Sequence, residues 1–275
     1  MSPATLTAKK EILIARLKAL QSVAVAFSGG VDSAFLAVMA RQVLGDRMVA
    51  LKAVSPIHSG REHRAALQFA EAFDLPLKVI TTDEMGVPGI AENPADRCYF
   101  CKQYLMGLMA DQADKMGFTH IAHGANLDDL DDYRPGFKAA KELDIKEPLI
   151  DAGLTKADIR RLSQDLGLPT WNRPSMACLA SRIPYGTPLT KTLLETISRA
   201  EDLLYDLGLA ACRVRHHGNL ARIEIDPAEV SRLLNGPARE GLVARMQALG
   251  YDHVCLDLEG YVQGSLNRSL GKQDT

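Results

Sequence analysis

The chain has 275 residues, of which 47% are hydrophobic and 24% charged, and its 32 Lys and Arg against 34 Asp and Glu give a formal net charge of -2. That length suits one large domain or two ordinary ones with real cores, and the balance of charge argues against nucleic acid as a partner, because surfaces that grip phosphates are basic. No apolar run reaches the ~18 residues of a membrane span, the first ten residues lack a secretory apolar core, and five cysteines are too few for a disulfide scaffold, so a cytoplasmic protein with no membrane contact is expected.

A buried strand is predicted over residues 23–27, where Val-Ala-Val-Ala-Phe is apolar throughout. Residues 32–44 read as a helix, 48–54 as a second strand, 61–73 as a helix and 77–81 as a third strand. A helix over 99–116 has Gly117 as its C-cap, and 120–123 read as a short strand. A helix over 155–166 is capped by Thr155, with Asp158 three residues on and Gly167 past its end. Strands alternating with helices predict an α/β fold over residues 1–184, a parallel sheet with helices on both faces. Beyond Pro184 the pattern changes. A long helix over 189–207 ends at Gly208, strands at 212–216 and 221–225 flank the hairpin signal Gly218-Asn219, two helical stretches break near Gly236-Pro237, and a last strand covers 253–258. Residues 185–275 are therefore expected to form a smaller C-terminal α+β domain.

The sharpest motif is Ser28-Gly29-Gly30-Val31-Asp32-Ser33. It follows an apolar strand and opens a helix. Two glycines allow a sharp turn and a close backbone approach, and the free N–H groups of the loop and first helical turn form an anion pocket. Ser28 and Ser33 add hydroxyls, and Asp32 is a candidate to hold Mg²⁺ through water. The Gly-Lys-Ser/Thr ending of a Walker A loop is absent. The six residues resemble the PP-loop of the N-type ATP pyrophosphatases, which implies an adenine nucleotide alpha hydrolase-like domain that cleaves ATP between the α and β phosphates and places AMP on a substrate. The ATP-binding set so implied is Ala26, Phe27, Ser28, Gly29, Gly30, Asp32 and Ser33, with Gly124 as the point where adenine meets the backbone.

Cysteine supplies the second pattern. Cys98-Tyr99-Phe100-Cys101 is a C-x-x-C, open to a redox or a metal reading. Cys178 sits in an irregular segment between Pro174 and Gly186, with Arg182 close by as a cation that favours a thiolate. Three thiolates suit three irons of a cubane cluster and leave the fourth iron open to an external sulfide. Cys212 and Cys255 fall inside predicted strands and read as core residues.

With these segments taken together the chain resembles the LarE family of sulfur transferases, which make a nickel-pincer nucleotide cofactor. The match is carried by the phosphate loop, His123-Gly124-Ala125-Asn126-Leu127-Asp128-Asp129, Asp132-Tyr133-Arg134-Pro135-Gly136, Thr170-Trp171-Asn172, the segment from Cys178 to Gly186, Arg213-Val214-Arg215 and Ala221-Arg222-Ile223-Glu224. The resemblance implies that ATP adenylates a carboxylate of pyridinium-3,5-biscarboxylic acid mononucleotide and that sulfur replaces the AMP. Cys98 and Cys101 place the chain with the branch whose three cysteines, here Cys98, Cys101 and Cys178, hold a 4Fe–4S cluster fed by a sulfide donor, and not with the branch whose single cysteine is consumed. Cys178, Asp32 and Arg182 are then the catalytic candidates, and Arg213, Arg215 and Ser181 the substrate-binding ones, the two arginines lying on one side of a strand where they suit a phosphate. Glu201 and Glu224 are candidates for a second cation, and Asp128 and Asp129 are helix-capping candidates. A homo-oligomer is expected. The competing readings are a tRNA thiolase, which the lack of a basic excess disfavours, an ammonia-using synthetase, which needs no thiols, and a non-catalytic nucleotide-binding or redox-sensing module.

Overall fold

The computed structural model describes residues 3–131, 136–174, 177–234, 237–262, 265, 266 and 268. Residues 132–135, in the Asp-Tyr-Arg-Pro-Gly segment, and 175 and 176, just before Cys178, lie outside the described residues. The chain divides into two compact units. The first comprises Met1–Ser55, Glu62–Glu84 and Asp96–Met176; the second comprises Pro56–Arg61, Met85–Ala95 and Ala177–Thr275.

The first unit is built on four parallel strands, β1 (Val23–Ala26), β2 (Met48–Val54), β3 (Leu77–Thr81) and β4 (Ile121–Ala122), in the order β3-β2-β1-β4. Alternate side chains of a strand face opposite ways, and both faces here are apolar. Val23, Val25, Met48 and Ala50 join a core with helices α1 (Pro3–Leu20), α2 (Val31–Leu44), α3 (Gly60–Ala72) and α7 (Lys156–Asp165). Ala24, Val49, Leu51 and Ala53 join a second core with α4 (Arg97–Lys115) and α5 (Gly136–Glu142). Burial on both sides explains why β1 is apolar throughout and β2 is apolar but for Lys52. A short helix, α6 (Pro148–Asp151), precedes α7. As predicted, Thr155 caps α7: its side chain accepts from the Asp158 N–H, and the Asp158 carboxylate accepts from the Thr155 N–H in return.

In the second unit, α8 (Lys191–Asp206) leads to the antiparallel pair β5 (Cys212–His217) and β6 (Leu220–Ile225), joined at Gly218-Asn219. Then α9 (Val230–Leu234) and α10 (Pro237–Ala248) carry the chain across to β7 (His253–Leu256), which pairs with β6 in parallel. Cys212, Val214, Ala221, Ile223 and Ile225 turn one face of this sheet into the apolar core under α8–α10. The alternate residues, Arg213, Arg215, Arg222 and Glu224, occupy the opposite face, where all but Arg222 are buried.

Candidate functional site

The chain leaves β1 at Ala26 through Phe27, whose N–H donates to the Leu51 carbonyl at 2.8 Å and whose ring packs on Phe69. Phe27 therefore turns its ring into the core and leaves only its backbone beside the loop. Beyond it the loop is cross-tied: the Ser28 and Ser33 hydroxyls lie 2.9 Å apart, the Ser28 N–H donates to Ser33 Oγ at 3.2 Å, and the Gly30 N–H donates to Ser28 Oγ at 3.2 Å. Gly29 has φ +88°, and a Cβ there would stand 2.7 Å from the Ala66 Cβ, so both conformation and space require glycine. Gly30 is the N-cap of α2 and brings no capping side chain. The first-turn N–H groups of a long buried helix are thus left for an anion.

Gly124, just past β4, comes against that same turn. A Cβ on it would meet Ser33 N at 2.8 Å and the Asp32 carbonyl carbon at 2.9 Å. Its lack of a side chain is already demanded by this contact with α2, whatever the nucleotide requires. Next to it His123 is buried and bonded to Glu147 at 3.0 Å. Burial pushes the His123 pKa down, against the opposing pull of Glu147.

Asp32 lies in the first turn of α2, held by the Lys156 ammonium in an ion pair and by Asn126 Nδ2 at 3.4 Å. Asp128 accepts the Lys156 N–H at 2.8 Å and so helps to cap α7, while Asp129 accepts the Asn126 N–H at 3.0 Å. Asp128 thus acts at the start of a helix, as a capping candidate would, while Asp129 ties the Asn126 backbone. Arg173 reaches the Gly29 carbonyl at 3.3 Å. Lys52, on β2, is 4% exposed and donates to the Ser28 carbonyl at 3.1 Å. Burial lowers its pKa, opposed by Glu62.

The thiols are divided between the units. Cys98 and Cys101 occupy the first turns of α4, three residues apart and so on one helix face, the first exposed and the second half-buried. The Arg97 guanidinium lies 3.9 Å from Cys98 Sγ. Cys178 belongs to the second unit, free and half-buried, at the head of a short 3₁₀ turn over Leu179–Arg182. Within each unit, among the described residues, no three His, Cys, Asp or Glu side chains form a metal-binding group.

Arg182, 2% exposed, forks onto Glu201 at 2.8 and 3.0 Å. Its remaining arm takes the carbonyls of Ala177 and Cys178 at 2.6 and 3.0 Å and Ser181 Oγ at 3.0 Å. It fixes the backbone on both sides of the Cys178 peptide. Arg215 forks onto Glu224 at 2.9 and 2.7 Å and donates to the Ser181 carbonyl at 2.7 Å. Arg222 also reaches Glu224, at 3.1 Å. Arg213 lies over the Tyr261 ring, 5.1 Å from its centroid, and donates to the Cys212 carbonyl at 2.7 Å. The expectation that Glu201 and Glu224 hold a second cation is corrected here: their carboxylates are already taken by guanidinium groups. Arg182, Arg215, Arg222 and His217 line a small cavity of about 20 Å³ beside Pro184 and Leu266.

Comparison with known proteins decides between the readings of this arrangement. Residues 10–87, which contain the phosphate loop, match the family described as NAD synthase. The pyridinium-3,5-bisthiocarboxylic acid mononucleotide synthase of Lactiplantibacillus plantarum is 37% identical over 270 residues, covering 98% of this chain and 97% of that protein. The chain belongs to the LarE family. An uncharacterized protein of Synechocystis sp. is 42% identical over 90% of this chain and 92% of its own, and one of Methanocaldococcus jannaschii 29% identical over 88% and 91%. As a LarE-family member with a PP-loop domain, the chain is an ATP-dependent sulfurtransferase. Among its described residues no helix is long and apolar enough to cross a membrane.

Three residues around the LarE-family loop escaped the reading of the sequence. Asn126 falls in the segment after β4, where nothing local marks an amide as a partner of Asp32. Lys156 looked like any lysine at a helix start. Lys52 carried the clearest available signal, a lone charge inside the apolar run Met-Val-Ala-Leu-Lys-Ala-Val, since lysine is almost never fully buried without a partner.

Proposed function

We propose that the chain activates a carboxylate of pyridinium-3,5-biscarboxylic acid mononucleotide with ATP and exchanges the AMP for sulfur, within the biosynthesis of a nickel-pincer nucleotide cofactor. The observation that carries this reading is the cross-tied Ser28–Ser33 loop at the head of α2, in a chain alike over nearly its whole length to the Lactiplantibacillus synthase. In the first step a substrate carboxylate oxygen attacks the α-phosphorus, the bond to the bridging oxygen breaks, and pyrophosphate leaves. The loop N–H groups with the Ser28 and Ser33 hydroxyls hold that pyrophosphate. In the second step sulfide attacks the acyl carbon and AMP departs with the electron pair of the C–O bond, leaving a thiocarboxylate. Adenylation is needed because a free carboxylate would have to expel oxide.

Asp32, in the first turn of α2 and partly exposed, is the residue that would hold Mg²⁺, which supplies charge neutralisation to the phosphates. Lys156 stays beside it as a protein-borne cation. Gly124 brings backbone close enough to the loop to border the adenine. In the second unit Arg213 and Arg215 are buried cations on one face of the small sheet, which suits the substrate's phosphate; they and Ser181 are its proposed partners, Arg215 being pre-positioned by Glu224. Arg182 acts through the backbone of Cys178 and orients that thiol.

Cys98, Cys101 and Cys178 fit a 4Fe–4S cluster as donors: each carries a thiol, none is fully buried, and two share one helix face. Such a cluster, when bound, supplies an open iron to which a sulfide can attach. Anaerobic purification with iron and acid-labile sulfide analysis, followed by mass spectrometry of Cys178 after turnover, tests this. About four irons per chain and an unaltered Cys178 are expected. No iron, with Cys178 stripped of its sulfur, would move the chain to a sacrificial mechanism, and no AMP formation would overturn the adenylation step itself.

A further inference from the structure

Lys52 lies outside the loop motif and yet bonds to it. An ammonium has three donor hydrogens and no acceptor, and a buried charge needs a counter-charge or a full set of acceptors to offset its desolvation. At 4% exposure, the Lys52 ammonium has one hydrogen-bond partner among the described residues, the Ser28 carbonyl, and no carboxylate within ion-pair distance among them. Its position in the strand is informative. Ala50 and Met48, two and four residues back on β2, face the core formed with α2 and α3, so Lys52 projects on the side of the sheet where α2 begins. Its one partner belongs to the first residue of the phosphate loop. His63 of α3 stands near enough to feel the charge of Lys52 and has its Nδ1 buried without a partner. Glu62 is the acidic group whose field reaches Lys52.

A buried cation short of acceptors, tied to the rim of an anion cradle, is arranged to be completed by the anion. We propose that Lys52 is a phosphate-binding residue of the nucleotide site, contributing a fixed positive charge to the β and γ phosphates of ATP and to the pyrophosphate that remains after adenylation. This rests on the reading of the loop as an ATP site and adds a ligand to it that the loop motif does not contain. Because AMP lacks the β and γ phosphates, the inference predicts a selective loss.

The test is titration calorimetry of the full-length protein with inorganic pyrophosphate, ATP and AMP in turn, for the wild type, Lys52→Met and Lys52→Arg. One charged hydrogen bond corresponds to about a 10- to 100-fold change in affinity. Lys52→Met should weaken pyrophosphate and ATP by about that factor while AMP changes by less than about threefold, and Lys52→Arg should restore part of the loss. Equal weakening of all three ligands, or none, in a folded Lys52→Met protein would overturn the inference. Should Lys52→Met not fold, Lys52→Gln, which keeps a donor for the Ser28 carbonyl, is judged by the same ratio. A wild-type protein that binds neither ATP nor pyrophosphate would instead strike at the function proposed above, so the two failures are distinguishable.

Discussion

Gly124→Ala is expected to damage the nucleotide site far beyond the size of a methyl group. The added Cβ would stand 2.8 Å from Ser33 N, 2.9 Å from the Asp32 carbonyl carbon and 3.1 Å from Ser33 Cα. These are backbone atoms of the first turn of α2, behind which Ala34, Phe35 and Leu36 are fully buried, so no flexible side chain can swing aside. The turn must retreat by roughly half an ångström, and overpacking of this kind costs about 1–3 kcal/mol. If the strain is kept, melting should fall by about 2–4 °C for each kcal/mol in a chain of this size. If the turn moves instead, its N–H groups lose their aim, and the same energy appears as ATP binding weaker by about 5- to 150-fold. Gly107→Ala is the control: it lies within α4 with nothing inside 4 Å of a Cβ, so it should keep ATP affinity and gain about 0.5–1 kcal/mol of stability. Scanning fluorimetry and titration calorimetry with ATP and Mg²⁺ read both quantities. A Gly124→Ala protein with wild-type melting and wild-type ATP affinity would refute the packing argument.

Three further outcomes follow from the same geometry. Arg182→Met strands the buried Glu201 carboxylate and should cost about 3–5 kcal/mol by urea unfolding, whereas Arg182→Met combined with Glu201→Met should recover much of it; simple additivity would contradict the pairing. For Asp158, burial works to raise the carboxyl pKa, but hydrogen bonds from Lys9 and Thr155 prevail and hold it below its ordinary value. A depressed carboxyl stabilises above its unfolded pKa of about 3.9 and loses that contribution as pH falls through the lower folded value. Asp158→Asn should therefore melt earlier than wild type at neutral pH, with the gap closing below about pH 4, and a pH-independent gap would contradict it. Burial and the nearby Glu201 carboxylate push the Cys212 thiol up to about 12, so iodoacetamide at mildly alkaline pH should label the exposed Cys98 and spare Cys212, as peptide mass spectrometry will show.

The first two strands were legible because β1 and β2 are largely apolar runs, as burial on both sides requires, whereas β3 is partly exposed and was marked by its β-branched Val79-Ile80-Thr81. The hairpin of β5 and β6 was legible from Gly218-Asn219, and α7 from Thr155 and Asp158, where local chemistry fixes the backbone. Helix α1 was missed because its apolar residues do not gather on one face: Leu13 and Leu17 are buried while Ile12 is 44% exposed. The parallel pairing of β7 with β6 was invisible, since it depends on a crossover through α9 and α10 that no local signal encodes. At the candidate site the loop residues were recoverable because glycine and serine act there through their own backbone. The partners of charged groups were not. Arg215 finds Glu224 across a strand pair, and Arg182 finds Glu201 on α8; sequence shows the charges and leaves the pairing to the fold, which is how two carboxylates already held by arginines came to be read as cation ligands. Lys156 and Lys52 reach the loop from elements 124 and 24 residues away from their partners, beyond any spacing rule.

The most direct test of the account is to incubate the anaerobically purified protein with ATP, Mg²⁺, sulfide and pyridinium-3,5-biscarboxylic acid mononucleotide, and to count AMP and sulfur-containing product by liquid chromatography and mass spectrometry. One AMP for every oxygen replaced by sulfur, and none when the pyridinium substrate is withheld, is the predicted result. AMP release that leaves the carboxylates unchanged, or an amide product when ammonia is supplied in place of sulfide, would contradict it.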